Sequence, residues 1–246
     1  MTLRHHEIAE ADHRILNAFS EAKLRLLGEA AEVGAGTQVL DLACGKGELL
    51  CRWAAWFGSG GVGVDLSHVF LADATARASE LGVSARVTFV QGDAADYVAE
   101  PGAFGIASCI GATWIGGGLA GTVDLLRPAI RHDGRILIGE PYWLEPPPDE
   151  AVAGHGFAPD EFVSLEGTLG RLEASGLQLV EMVLASPDDW DRYEARQWRT
   201  VTAWLSANPD DPEHDAMRRF LDDGRRWYLR WGRRYLGWGV FVTRIR

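Results

Sequence analysis

Val39–Leu50 reads VLDLACGKGELL, and this stretch decides the fold. An apolar run ends in Asp41, a short loop holds Gly45 and Gly47, and a helical pattern follows over Leu49–Phe57. Glycines let a loop take backbone angles barred to other residues and pass close beneath a ligand. In an open parallel sheet, ligands sit at the carboxyl ends of the strands, where the strand order reverses. A lone GxG occurs in many turns, so the flanking sequence must carry the rest of the argument.

Working outward, Thr37–Ala43 is the strand feeding the loop, and Gly61–Leu66 (GVGVDL), Arg86–Gln91, Phe104–Ile110 and Arg135–Gly139 read as four more. Helical patterns separate them at Ser67–Leu81, with Ser67 as its cap, and at Leu119–Ile130. Such alternation predicts an α/β fold, a mostly parallel sheet with helices on both faces. Beyond Pro146–Pro148 come a helix near Asp160–Ser175, a sixth strand at Leu177–Ala185 and a seventh at Gly237–Ile245. Between the last two lies an aromatic helical insertion, residues 187–236, with Trp190, Tyr193, Trp198, Val201, Trp204 and Leu205 at three- to five-residue steps and a break at Asn208–Pro212. An excursion this long inside a compact domain is usually functional. Residues 7–33 read as helical, with Ser20 as a cap, and residues 1–33 as an N-terminal helical cap; the whole of 1–246 reads as one domain.

Two spacings sharpen the loop. Asp65 ends the second strand 24 residues after Asp41, where a carboxylate typically accepts the hydroxyls of a ribose. Asp93, in QGDA, follows the third strand and puts a second acid near the far end of a nucleoside. A dinucleotide fingerprint needs a third glycine where Leu50 stands, and a phosphate loop needs Ser or Thr after its lysine. Asp41 is a poor neighbour for a pyrophosphate and a good one for a cation. The loop thus favours a positively charged nucleoside without phosphates, and S-adenosylmethionine is such a ligand.

Read together, DLACGKG, GVDLS, QGDA and SCIGATW resemble the four successive motifs of the class I S-adenosylmethionine-dependent methyltransferases over about residues 37–140. CIGATWIGGG, ILIGEPYW, DDWDRYEA, WLSANPDD and LGWGVF extend the resemblance, nearly end to end, to uncharacterised bacterial methyltransferases of the YjhP type. The resemblance implies a Rossmann-like seven-stranded fold and S-adenosylmethionine as cofactor. It implies that Asp41 and the backbone at Ala43 and Gly45 hold the methionine end, with Gly47 also among the cofactor-binding residues. Asp65 would take the ribose, Leu66 the adenine face, and Asp93 with Ala94 the adenine amino group. The backbone at Cys109 and Gly111 would border the methionine moiety and the acceptor. Ala43 stands where many members have the first glycine, which is tolerable if its backbone keeps ordinary angles.

Glu140 and Tyr142, in GEPYW, follow the fifth strand onto the rim where substrates sit and are the candidate bases; Trp114 and Trp143 are candidate pocket walls. His5, His6 and His13 have no recognised metal spacing, so no metal is expected. Hydrophobic residues make up 47% and charged residues 24%, which suits a folded globular chain. The formal charge is −11, from 24 basic and 35 acidic residues, which disfavours a nucleic-acid surface. Three cysteines, Cys44, Cys51 and Cys109, form no CxxC pair and suit a reducing compartment. MTLRHHEIAEAD lacks the apolar core of a signal peptide, and no apolar run has the length of a membrane span; the expected location is cytoplasmic. The expected partner is a small-molecule methyl acceptor. Arginines between Arg218 and Arg234 keep an RNA methyltransferase as one alternative, binding of the cofactor without catalysis is another, and the aromatic insertion would also suit a homodimer interface.

Overall fold

The computed structural model describes residues 2–246 apart from Phe157 and Pro159. Seven strands form one sheet: β1 (Gln38–Leu42), β2 (Gly60–Asp65), β3 (Val87–Gln91), β4 (Phe104–Ile110), β5 (Ile130–Trp143), β6 (Leu177–Leu184) and β7 (Leu236–Ile245). Their order is β3-β2-β1-β4-β5-β7-β6. The first five run parallel, and β7 is antiparallel to both β5 and β6. The order reverses between β1 and β4, so the crevice that takes a ligand opens beyond the carboxyl ends of those two strands.

The helices are α1 (Leu3–Ala9), α2 (Glu21–Ala30), α3 (Glu48–Phe57), α4 (His68–Glu80), α5 (Leu119–Leu126), α6 (Asp149–His155), α7 (Leu165–Ala174), α8 (Pro187–Ala207) and α9 (His214–Trp227). Serine caps open four of them: Ser20, Ser67, Ser164 and Ser186 each accept from a backbone N–H of the first turn. Strand residues alternate between two cores. Val39, Leu137, Val240 and Val242 meet α2 and α3 through Leu27 and Trp53, while Leu40, Ile136, Ile138 and Phe241 meet α5 and α7 through Val123 and Leu172.

Boundaries differ from the sequence reading at several places: the helix read over Leu119–Ile130 ends at Leu126 and Ile130 already opens β5, and three further differences shape the site. The expected helix over 7–33 is broken: Glu10–Ser20 is irregular and lies across the crevice, where Leu16 reaches Gly45 and Asn17 reaches Gly111. The helix expected from Asp160 begins at Leu165, because its cap is Ser164. β5 does not stop at Gly139. It continues to Trp143 as a ribbon with β7, pairing Glu140 with Gly239 and Trp143 with Leu236, past the end of β4 at Ile110. The ring of Tyr142 lies against Gly237, where any Cβ would collide with it, so this glycine is a packing requirement. The ribbon carries the aromatic insertion above the carboxyl edge, and Trp143, Trp227, Tyr228 and Leu236 form a small core there.

Candidate active site

A cavity of about 1600 Å³ occupies the carboxyl edge of the sheet. Ligand pockets commonly measure about 300–1,000 Å³, so this one has room for two ligands. Its walls come from the glycine loop, the ends of β1, β2, β4 and β5, the segment Arg14–Phe19, and helices α8 and α9.

The floor is the glycine loop. Ala43, Gly45 and Gly47 all have left-handed backbones, with φ of 57°, 53° and 63°. The condition placed on Ala43 therefore fails: it keeps its methyl in a conformation that L-residues disfavour by about 1–2 kcal/mol. Asp65 explains how the strain is held. Its Oδ2 accepts from Gly45 N at 2.8 Å and its Oδ1 from Ser67 N at 2.9 Å. A carboxylate has about four lone-pair sites, so two remain for a diol in the cavity. Ser67 in turn donates to Glu7 at 2.6 Å, and Lys46 donates to Ala11 O at 2.8 Å, which ties the N-terminal segment over the loop.

Asp41 is buried and accepts from Ser108 Oγ at 2.7 Å. Burial pushes its carboxyl up to about 7, against the Ser108 hydrogen bond and with the help of the Asp65 charge. Asp93 caps a short 3-10 turn through Ala95 N at 2.9 Å, and it lines the cavity with Ala94 and the exposed Leu66. Gly111, with φ of 84°, lets Ile110 and Gly111 face the cavity while Asn17 donates to Ile110 O at 3.3 Å.

Glu140 is 3% exposed and lines the cavity from the end of the parallel part of β5. Burial raises its carboxyl to about 7, opposed by Arg171 and by a hydrogen bond with Thr113. Trp114 stands on the rim, 73% exposed.

Four expected residues do not line the cavity among the described residues. Gly47 starts α3 behind the loop, where a Cβ would come within 2.6 Å of Phe89. Cys109 turns its side chain into the core, and its neighbours Ile110 and Gly111 line the cavity. Tyr142 packs on Gly237, with its hydroxyl pushed further up by burial. Trp143 belongs to the core under the insertion. For Cys109 the reason is strand alternation, which turns consecutive residues of β4 to opposite sides of the sheet, and beyond Pro141 the β5–β7 ribbon leaves the cavity edge, taking Tyr142 and Trp143 with it.

Other lining residues had no site role assigned from the sequence: Glu10, Asn17, Arg171, Trp190, Tyr193 and Glu194. Trp190, Tyr193, Glu194 and Gln197 share a helical face at spacings of three and four, which was the available signal. The histidines are otherwise engaged. His5 meets Glu213 at 2.5 Å and His6 packs edge-on against Phe70. No group of three His, Cys, Asp or Glu side chains among the described residues is arranged so that it could hold a metal ion. No helix of the described residues is long and apolar enough to cross a membrane.

The left-handed glycine cradle, the spare lone pairs of Asp65 and the acid at Asp93 fit an adenosyl ligand with a cationic tail near Asp41. Comparison with known proteins agrees. Residues 39–129 match the family described as "Methyltransferase domain". The "Uncharacterized protein YjhP" of Escherichia coli (strain K12) is 46% identical over 238 residues, covering 96% of this chain and 95% of that one. A crystal structure of an S-adenosylmethionine-dependent methyltransferase from Geobacter sulfurreducens, in complex with S-adenosylhomocysteine, has a TM-score of 0.95 and 46% identity, covering 100% of this chain and 99% of the other. The Thiobacillus denitrificans counterpart, also with S-adenosylhomocysteine, has a TM-score of 0.94 and 44% identity, again covering 100% and 99%. The acids along the strand ends, the glycine loop beneath them and these two relatives agree: this chain belongs to the class I S-adenosylmethionine-dependent methyltransferases.

Proposed function

We propose that the enzyme methylates an O, N or C nucleophile of a small molecule held in the cavity. The observation that carries this reading is the shared wall: the strand ends that suit the cofactor and the aromatic face of α8 line one space. Bound S-adenosylmethionine supplies an activated methyl on a sulfonium. Asp65 and Asp93 bind its ribose and adenine ends, Leu66 covers the base, and Asp41 with the backbone of Ala43, Gly45 and Gly111 holds the amino-acid end. Residues 1–33 and the insertion 187–236 act as a cap that excludes water and aligns donor with acceptor. Alignment of this kind accounts for about 7–11 kcal/mol of barrier in favourable cases.

Glu140 is the general base where the acceptor must lose a proton. A carboxyl raised to about 7 is balanced between holding and releasing that proton near neutral pH. Three arginines of the insertion have local work that weakens an RNA-binding reading. Arg233 pairs with Asp191, Arg234 with Glu145, and Arg225 sits 5.6 Å over the ring of Trp198.

The test uses methyl-labelled S-adenosylmethionine and a small-molecule extract, with label followed into extract components. Wild type should label a small product, and Glu140→Gln should slow labelling of an O–H or N–H acceptor by about 100-fold or more. Label that enters only RNA or protein, or an unaffected Glu140→Gln enzyme acting on such an acceptor, would refute the reading.

A further inference from the structure

We infer that the cap end of the cavity binds a positively charged group of the methyl acceptor, an ammonium carried on an apolar body, between Glu10 and Glu194. The inference rests on the proposed sharing of the cavity by donor and acceptor.

Glu10 follows α1, has no exposure to solvent and lines the cavity. Its Oε1 accepts from Tyr193 OH at 2.6 Å and from Gln197 Nε2 at 2.8 Å. Its Oε2 has no hydrogen-bond partner in the protein. His13 Nδ1 lies 3.1 Å from that oxygen without forming a hydrogen bond to it, its Nε2 is engaged with Tyr193 O, and burial lowers the imidazole to about 4, so it brings no charge. A buried carboxylate oxygen without a partner is costly, and a ligand donor is what would satisfy it.

Glu194 lies on α8 between Tyr193 and Gln197, the two partners of Glu10, and lines the same space. Burial lifts both carboxyls to about 7, and the charge on Glu10 makes Glu194 harder still to ionise. Trp198 is the one side-chain hydrogen bond that favours ionised Glu194. Lys46 is the cation whose charge reaches Glu10, but its Nζ is turned to Ala11 O at 2.8 Å and Asp73 at 3.0 Å. Two crowded acids without a paired cation are stabilised by a bound cation and by no neutral or anionic group to the same degree.

The surrounding wall fits the rest of such a molecule. Phe19, Trp190, Tyr193, Phe220, Trp227 and Trp238 line the cavity. Indole and phenol faces attract a nearby cation as well as an apolar body. Trp190 Nε1 is a second buried polar atom without a partner in this wall. The ammonium is an anchor and not the reacting atom, because it has no free electron pair. The nucleophile sits at the sheet end, near Gly111 and Glu140. There the new bond forms to the methyl carbon, the carbon–sulfur pair stays on sulfur, and any displaced proton passes to Glu140.

An ammonium at Glu10 could also be that of the cofactor's own amino-acid end. The partners of Glu10 favour the acceptor: they come from α8, whereas the acids that suit the cofactor come from strand ends. Calorimetry separates the two. Wild type, Glu10→Gln and Glu194→Gln, and the double variant are each titrated with S-adenosylhomocysteine. Each saturated protein is then titrated with matched probes: tryptamine against tryptophol, and phenylethylamine against phenylethanol. The amines should bind wild type about tenfold or more tighter than the alcohols, as expected for a desolvated cation held by carboxylate and ring. Each single variant should reduce that preference and the double variant should abolish it, with S-adenosylhomocysteine affinity unchanged. Glutamine keeps the hydrogen bond of Tyr193, and thermal melts verify folding of each variant. Alcohols binding as tightly as amines, no amine binding at millimolar concentration, or a preference that survives the double variant would overturn the inference. Weaker S-adenosylhomocysteine binding in the variants would assign Glu10 to the cofactor and also overturn it. Failure of wild type to bind S-adenosylhomocysteine would instead overturn the cofactor assignment.

Discussion

Glu140→Gln should make the ligand-free protein more stable at alkaline pH, because wild type stores a charging cost at this site. Burial raises the carboxyl from 4.5 to about 7. Between those values the folded chain binds the proton and the unfolded chain releases it. Folded stability therefore falls as the pH rises through that window, the reverse of a salt-bridged acid. Each unit of displacement corresponds to about 1.4 kcal/mol, and between about pH 5 and pH 8 the loss comes to about 2.5 kcal/mol. Glutamine has nearly the same shape and never ionises, so the variant should gain about 2.5 kcal/mol relative to wild type over that interval. Asp41, Glu10 and Glu194 act in the same direction, and His13, lowered to about 4, acts in the opposite one below its ordinary 6.5. These groups are common to both proteins and cancel in the difference. Urea unfolding followed by tryptophan fluorescence at acidic, neutral and alkaline pH measures it. A difference that does not change with pH, or one in which the variant loses ground toward pH 8, would refute the reasoning.

Three other outcomes follow from the same geometry. Asp65→Asn should weaken S-adenosylhomocysteine binding by about tenfold or more in calorimetry, because hydrogen bonds to a charged group contribute about 1.5–3 kcal/mol each; unchanged affinity would place the ribose elsewhere. Ala43→Val should destabilise the protein by roughly 1–3 kcal/mol, since a β-branched residue at φ of 57° is a strong outlier, whereas Ala43→Gly should keep or raise the melting temperature; equal melting of all three would refute the strain. Hydrogen exchange should slow across residues 2–20 and 187–227 when S-adenosylhomocysteine binds; no change there would count against a cap.

The parts legible in the sequence are those with a local signature. Alternating β-rich and helical patterns revealed the five parallel strands, and the tail GWGVFVTRI revealed the last, because strand and helix periods differ within a few residues. Asp65 and Asp93 were legible because a carboxylate at a strand end in this fold faces the crevice. Orientation past a strand end was not. Tyr142 and Trp143 look like pocket residues in GEPYW, yet the β5–β7 ribbon carries them away from the cavity edge, and only pairing with Gly237 and Leu236 shows it. Glu10 was invisible for a related reason. A glutamate in HEIAEADHR reads as a solvated helix position until Tyr193 and Gln197, more than 180 residues later, close over it. The conformation of Ala43 depended on tertiary bracing of its loop by Asp65, which no local pattern encodes.

The most direct test of the account is a crystal structure with S-adenosylhomocysteine bound. The account predicts adenosine between Asp65 and Asp93, the amino-acid end at Asp41, and the sulfur beside Ile110 and Gly111, facing a space bounded by Glu140, Trp190, Tyr193 and Trp238. A sulfur that faces away from Glu140 and α8, or an adenosine bound outside this cavity, would contradict it.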